Sequence, residues 1–366
     1  MAEYSRNNLL NNPLLPVDVV MGPEWWHKHA GICFDRDFFF HPARRVEDER
    51  RMEQVLYDKW GRFGLGKYHD QTRPELGAVH LAAGFFISEM LGCEVRYSEK
   101  HPPQVVPANE SKLQIDPDKA FTSKAYSDFQ KLTERLRNKH GGVCGDVNWA
   151  GILNVALDLR GQGVFVDMLT APDAVENGFA QIGRVIEQFV RTVQSETGTS
   201  SISVNRNVRH FDTPVFLHSE CSHTMISETH YEQFLMPFDV AWSQSHRPFG
   251  IHYCGPDPHR YALVFARLPH LDFLDVGWGG DIAILRRFLP NTFLNIRLSP
   301  VEIAEQSPDQ IRRTITDMVA QSKNPYLTGV CCINMDDRVT DEQITAVFET
   351  VDDLCRYYQS LDGAET

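Results

Sequence analysis

The chain has 366 residues, 42% of them hydrophobic and 23% charged, and a formal net charge of −13 at pH 7. That length can bury one large core, and the composition excludes global disorder. The acidic excess excludes a general nucleic-acid surface or an anionic membrane as partner, and no apolar run approaches the roughly 18 residues of a spanning helix.

Met1-Ala-Glu-Tyr-Ser-Arg-Asn-Asn lacks the basic start and apolar stretch of a signal peptide. Eight scattered cysteines read as reduced thiols, so the expected compartment is the cytoplasm. Residues 1–23, polar and rich in Pro and Asn, read as an N-terminal arm lying on the body or on a partner chain, which leaves a homodimer open. Residues 24–366 read as a single domain. Pro23–Cys33, with Phe38-Phe-Phe40 close behind, is dense in aromatic residues and reads as core or as the roof of a pocket. Pro42 to Gly61, apolar at Val46, Met52, Val55, Leu56 and Trp60, predicts an amphipathic helix. Residues 76–92 are mostly apolar, and His80 there reads as a core histidine.

Cys93–Tyr97 is strand-like, and residues 98–120 form a Pro-rich loop. Tyr126–Lys139 predicts a helix with a solvated basic face. Gly141–Gly145 marks a strand-to-loop break, and Asp146–Gly151 leads into a helix through Leu159. Ala171-Pro-Asp173 opens a long helix to about Glu196, with a stripe of Val175, Phe179, Ile182, Val185, Ile186 and Phe189. Thr213–His218 reads as a strand ending in Ser219-Glu-Cys-Ser-His223. Ser227 then caps a helix whose first turns carry Glu228 and Glu232.

From 249 onward one unit repeats. Strands at 249–254, 271–276, 292–297 and 326–333 alternate with helices at 257–268, 281–289, 307–322 and 341–359. Short apolar strands alternating with helices mean a parallel sheet. A (β/α)8 TIM-type barrel with an N-terminal extension is the expected fold, ahead of a doubly wound open sheet. No Gly-x-Gly-x-x-Gly joins a strand to a helix, so a dinucleotide site lacks support.

In such a barrel the C-terminal strand ends share one mouth. They would carry Asp146 and Asn148, His218 and Glu220, His252 and Cys254, Gly277-Trp-Gly-Gly-Asp281, Arg297, and Cys331 or Cys332. Strand alternation turns His252 and Cys254 to one side, and soft nitrogen and sulfur donors at that spacing suit a tetrahedral zinc. A buried cysteine beside a hydrogen-bonded histidine is the alternative. Only one of Cys331 and Cys332 points inward.

These residues reach a family. Ile226-Ser-Glu-Thr-His-Tyr-Glu-Gln-Phe-Leu-Met-Pro237, Asp275–Asp281, Asn295-Ile-Arg-Leu-Ser-Pro300 and Gly329–Ile344 resemble stretches of the uroporphyrinogen decarboxylase superfamily. The resemblance covers roughly residues 20–360 and favours the zinc-dependent corrinoid methyltransferase branch. The decarboxylases carry Arg-Gln-Ala-Gly-Arg, where this chain has Lys28-His-Ala-Gly-Ile32. The stretch near Leu81-Ala-Ala-Gly84 offers no carboxylate. Loss of those groups implies that uroporphyrinogen is not a substrate.

In the methyltransferases a His-x-Cys-Gly and a later Cys bind zinc. His252, Cys254 and one of Cys331 and Cys332 match those places, and counting back from the C-terminal helix with a one-residue gap selects Cys332. The resemblance thus implies zinc with one open position and a small methyl donor or acceptor. It also implies a corrinoid (cobalamin) carried by a separate protein, because no corrinoid-binding Asp-x-His-x-x-Gly is recognisable here. That corrinoid protein would dock at the mouth, with the aromatic N-terminal segment as part of the surface. Glu220 (or Cys221) is the expected resting fourth ligand. Asn148, Trp278 and Arg297 are expected binding residues, and Asp281 is either a pocket acid or a helix cap. The rival expectations are a lyase acting on a small acid and a non-catalytic barrel that binds a corrinoid protein.

Overall fold

In this computed structural model, residues 4–6, 9–66, 84–141, 143, 149–197, 207–208, 213 and 215–363 are described. Asp146, Asn148, His80 and the stretch 81–83 lie outside the described residues. The strands among them are β1 (Val17–Met21), β2 (Glu94–Arg96), β3 (Gln104–Val106), β4 (Asn207–Val208), β5 (Phe216–Ser219), β6 (Phe249–His252), β7 (Phe273–Val276), β8 (Phe293–Arg297) and β9 (Thr328–Met335). The main sheet has the order β4-β1-β9-β8-β7-β6-β5, and β2 and β3 pair by themselves. From β5 round to β1 every pairing is parallel, while β4 joins β1 antiparallel. Six parallel strands curl as an arc of a TIM-type barrel, with helices returning the chain between them.

Alternation along the strands sorts the side chains into two faces. Val17, Val19, Met21, Ile251, Leu274, Ile296, Val330 and Cys332 pack outward into the main core under the helices. Leu217, Phe273 and Phe293 point inward and join Leu10 and Val215 in a separate apolar cluster. Phe273 and Phe293 stack with ring centres 5.6 Å apart. This cluster fills the interior of the described arc on the side of the strand starts, each large side chain contributing about 1.5–3 kcal/mol by burial. One step further along the same face the residues become polar: His252, Asp275, Asn295 and Arg297. Cys331 pairs in register with Arg297 on one side and with Asp18 on the other, and Asn295 donates to Asp18 at 2.8 Å. The interior of the arc is thus apolar toward the strand starts and polar toward the strand ends.

Helix starts follow local rules. Ser307 and Gln310 make reciprocal capping bonds in front of Pro308–Ser322, and Ser299 caps a further short helix, Pro300–Glu305, that was not among the expected elements. The C-terminal helix spans Asp341–Gly363. Three expectations change. Residues 17–21 are not arm but β1, between β4 and β9; the Pro/Asn-rich residues before them obscured an alternation in which Val17 and Val19 pack outward and Asp18 faces inward. The aromatic stretch is core: Trp25, Trp26, Phe38 and Phe39 are buried, so their rings offer no docking surface. The helix expected at 257–268 is a 3-10 turn, Pro258–Tyr261, and one short helix, Ala262–Phe265, ended before Pro269. Among the described residues no helix is long and apolar enough to cross a membrane.

Candidate metal centre

Three strand ends build the centre. β6 ends at His252, and Cys254 lies two residues on, followed by Gly255. After β7 the chain turns through Gly277, where a Cβ would sit 1.9 Å from the Gly255 carbonyl oxygen. Only glycine lets the two turns meet, and their contact holds the Cys254 segment against β7. After β5, the 3-10 turn Cys221–Met225 brings in Cys221. That turn is anchored on both sides. Ser222 N donates to Asn154 Oδ1 at 3.1 Å, and Tyr261 Oη donates to the carbonyls of His223 and Ile226, both at 2.9 Å.

The donor atoms converge. His252 Nε2 is 2.9 Å from Cys254 Sγ, which is 2.8 Å from Cys221 Sγ, and the three atoms lie within 4.8 Å of one another. Behind them, Asp275 Oδ2 accepts from His252 Nδ1 at 2.5 Å and from Arg297 Nη2 at 2.8 Å. Arg297 Nη1 also points at Cys254 Sγ, 3.7 Å away. Burial opposes charge on His252, but the Cys254 thiolate and Asp275 outweigh it and raise the imidazole to about 9. A hydrogen bond from Cys221, with the His252 and Arg297 charges, holds the Cys254 thiol well below its usual range despite burial. The bond to Cys254 and burial push the Cys221 thiol up. Two cations and two anions therefore balance inside the barrel.

These residues fit zinc. Two thiolates and an imidazole are its preferred soft donors, and sulfurs bound to one ion at about 2.3 Å each must lie within about 4.6 Å of each other. Asp275 fixes Nδ1 as the protonated ring nitrogen and leaves Nε2 to the metal, the usual carboxylate–histidine–metal arrangement. A dication with two thiolates is neutral, and Asp275 cancels Arg297, so a filled site leaves no uncompensated buried charge.

Of the residues expected from sequence, His252, Cys254 and Arg297 meet here. Cys332 does not: it packs in the outer core, while Cys331, one residue earlier, is the inward member beside Arg297. A one-residue step reverses the face of a strand, so counting back with a gap selected the wrong side. Glu220 is buried and engaged elsewhere, accepting from Leu153 N at 2.8 Å and Ser222 N at 3.2 Å. Asp281 caps the helix Ile282–Phe288, accepting from Ile284 N at 2.8 Å, and Trp278 is half-buried on the turn after β7. Asn148 lies outside the described residues. Ile32, at the place of the second decarboxylase arginine, is packed in the core. Asp275 was missed as a site residue, although an inward acid in the apolar run Leu271–Val276 must find a partner.

His218, on the outer face of β5, belongs to a second buried network. Its Nδ1 donates to Asp239 at 2.7 Å, Tyr231 Oη donates to Asp239 at 2.6 Å, and Glu220 lies 3.7 Å from Nε2. Burial lowers the His218 pKa, but Asp239 and then Glu220 outweigh it, giving about 9. A histidine raised above its unfolded value of about 6.5 contributes stability that is full below that pH and is lost as pH rises through 9. Urea midpoints measured from pH 6.5 to 10 should therefore fall more steeply in the native protein than in Asp239→Asn. Comparing the two cancels the parallel titration of His252.

No protein-family model matches the chain, and no curated protein matches it. Among solved structures, a methyltransferase from Methanosarcina mazei superposes with a TM-score of 0.66 over 94% of each chain, at 13% identity. A B12-independent methionine synthase from Shewanella sp. W3-18-1, in complex with selenomethionine, superposes with a TM-score of 0.50. That match covers 94% of this chain and 100% of the other, at 9% identity. At such identities the likeness is one of fold.

Proposed function

We propose that this chain is a zinc-dependent methyltransferase of the uroporphyrinogen decarboxylase superfamily, moving a methyl group between a corrinoid carrier and a thiol or small methylated substrate. The observation that carries the proposal is the convergence of His252 Nε2, Cys254 Sγ and Cys221 Sγ, with Asp275 holding the far side of the imidazole. The sequence motifs and a fold shared with a methyltransferase support it. Zinc bound there would act as a Lewis acid and favour the thiolate form of a substrate sulfur.

The chain's own residues prepare the rest. Asp275 keeps the imidazole in one tautomer and one orientation. Arg297 sets a fixed positive charge beside the sulfurs, stabilising negative charge at the place where a thiolate must react. Beneath these polar groups the interior of the described arc is apolar. A corrinoid protein approaching the mouth would meet the turns after β5, β6 and β7, which carry Cys221, Cys254 and Trp278.

The test is demethylation of methylcobalamin by a panel of thiols, followed by absorbance, with zinc present and after its removal. Turnover should require zinc. Cys254→Ala should lower it about a hundredfold or more, the several kcal/mol that Lewis-acid stabilisation supplies, while leaving the fold intact. A rate unaffected by zinc removal, or no transfer to any acceptor by the zinc-loaded protein, would sink the proposal.

A further inference from the structure

Cys221 and Cys254 stand in an arrangement that metal binding alone does not demand. Their sulfurs are 2.8 Å apart, both are free thiols, and Cys221 sits on an exposed turn at the mouth with its sulfur turned inward against Cys254. A disulfide needs about 2.05 Å, so the sulfurs have less than about 1 Å to close. The backbone on either side favours that approach over separation. Ser222 Oγ and N both bond Asn154, and Arg260 and Tyr261 hold the His223 carbonyl, so the turn carrying Cys221 cannot swing far from Cys254. The partner sulfur is equally fixed, between His252 Nε2 at 2.9 Å and Arg297 Nη1 at 3.7 Å. Those two side chains lie where they can stabilise a departing hydroxide. The buried Cys331 and Cys332, by contrast, have no solvent access.

We propose that Cys221 and Cys254 form a redox couple, closed to a disulfide by a hydroperoxide and reopened by a reducing thiol, so that oxidation disables the site reversibly. In the first step the Cys254 sulfur takes the terminal oxygen of the hydroperoxide. The O–O bond breaks, Cys254 becomes a sulfenic acid, and water or an alcohol leaves with the thiol proton. In the second step the Cys221 sulfur attacks the sulfenic sulfur, the S–S bond forms, and the hydroxyl leaves as water with the Cys221 proton. Two electrons pass from the two thiols to the peroxide bond. Both sulfurs are then lost to a metal, because a disulfide sulfur is no thiolate donor. The couple shares its cysteines with the metal site proposed above but does not require zinc to exist.

The full-length protein, metal-free and zinc-loaded, is treated with hydrogen peroxide, alkylated, and mapped by peptide mass. The first change expected is loss of two of the eight thiols in a Cys221–Cys254 cross-link, reversed by dithiothreitol. In the zinc-loaded sample, metal captured by a chromophoric chelator should appear in step with the cross-link. Cys221→Ser should form no cross-link and should instead accumulate oxygen on Cys254. A cross-link in a protein that takes up no zinc supports the couple and overturns the metal reading alone. Early cross-linking of any other pair, or oxidation of Cys254 in the unaltered protein without the cross-link, overturns the couple.

Discussion

Arg297→Ala should lose about 3–5 kcal/mol of unfolding free energy, the cost of leaving one partner of a buried ion pair uncompensated. The guanidinium is almost completely buried and is shared between Asp275 Oδ2 at 2.8 Å and the sulfur of Cys254. Its removal leaves Asp275 with His252 alone and opens a void in the polar interior. Arg297→Lys keeps the charge but not the planar fork, and should recover part of the loss. The double variant Arg297→Met with Asp275→Leu should be more stable than Arg297→Met alone, because it removes the stranded carboxylate as well as its partner. Urea unfolding of the set, with Asp275→Leu alone added to complete the cycle, gives the coupling. Equal stability of Arg297→Ala and the native protein would mean that the pair is solvated.

The second large effect falls on metal affinity. Asp275→Asn should weaken zinc binding about 10–100-fold, the usual cost of losing a carboxylate behind a ligating imidazole. The carboxylate does two things that the amide cannot do together. It accepts from His252 Nδ1 at 2.5 Å, fixing which nitrogen is left for the metal, and its charge cancels Arg297. An asparagine retains one acceptor oxygen but leaves the guanidinium repelling a bound dication. Competition against a chromophoric chelator measures the change, and an unaltered affinity would remove Asp275 from the centre.

Much of this was legible in the sequence, and the gaps have physical causes. The alternation of strands and helices after residue 249 announced the parallel barrel, since each unit buries both faces of a strand and one face of a helix. His252 and Cys254 stood out because soft donors two apart on a strand share a face. Arg297 stood out as the residue ending the strand at 292–297, where a barrel's mouth lies. Cys332 was chosen over Cys331 because sequence offers no absolute phase for a short strand, and a slip of one residue exchanges interior for exterior. Cys221 was visible only as an alternative to Glu220. It lies beyond the end of β5 on a 3-10 turn, where the period of two no longer says which way a side chain points. The strand Val17–Met21 was hidden by its neighbours, since five residues beside a Pro/Asn-rich stretch carry little periodic signal.

The ligands of the metal are what the functional proposal depends on, and X-ray absorption at the zinc edge reads them directly. One zinc per chain, bound by two sulfurs at about 2.3 Å, one imidazole nitrogen at about 2.0 Å and one exchangeable light atom, is the expected result. Cys221→Ser should reduce the sulfur count to one, and Cys332→Ser should leave the spectrum unchanged. A protein that takes up no zinc, or a centre whose sulfur count is unaltered in Cys221→Ser and falls in Cys332→Ser, would contradict the assignment.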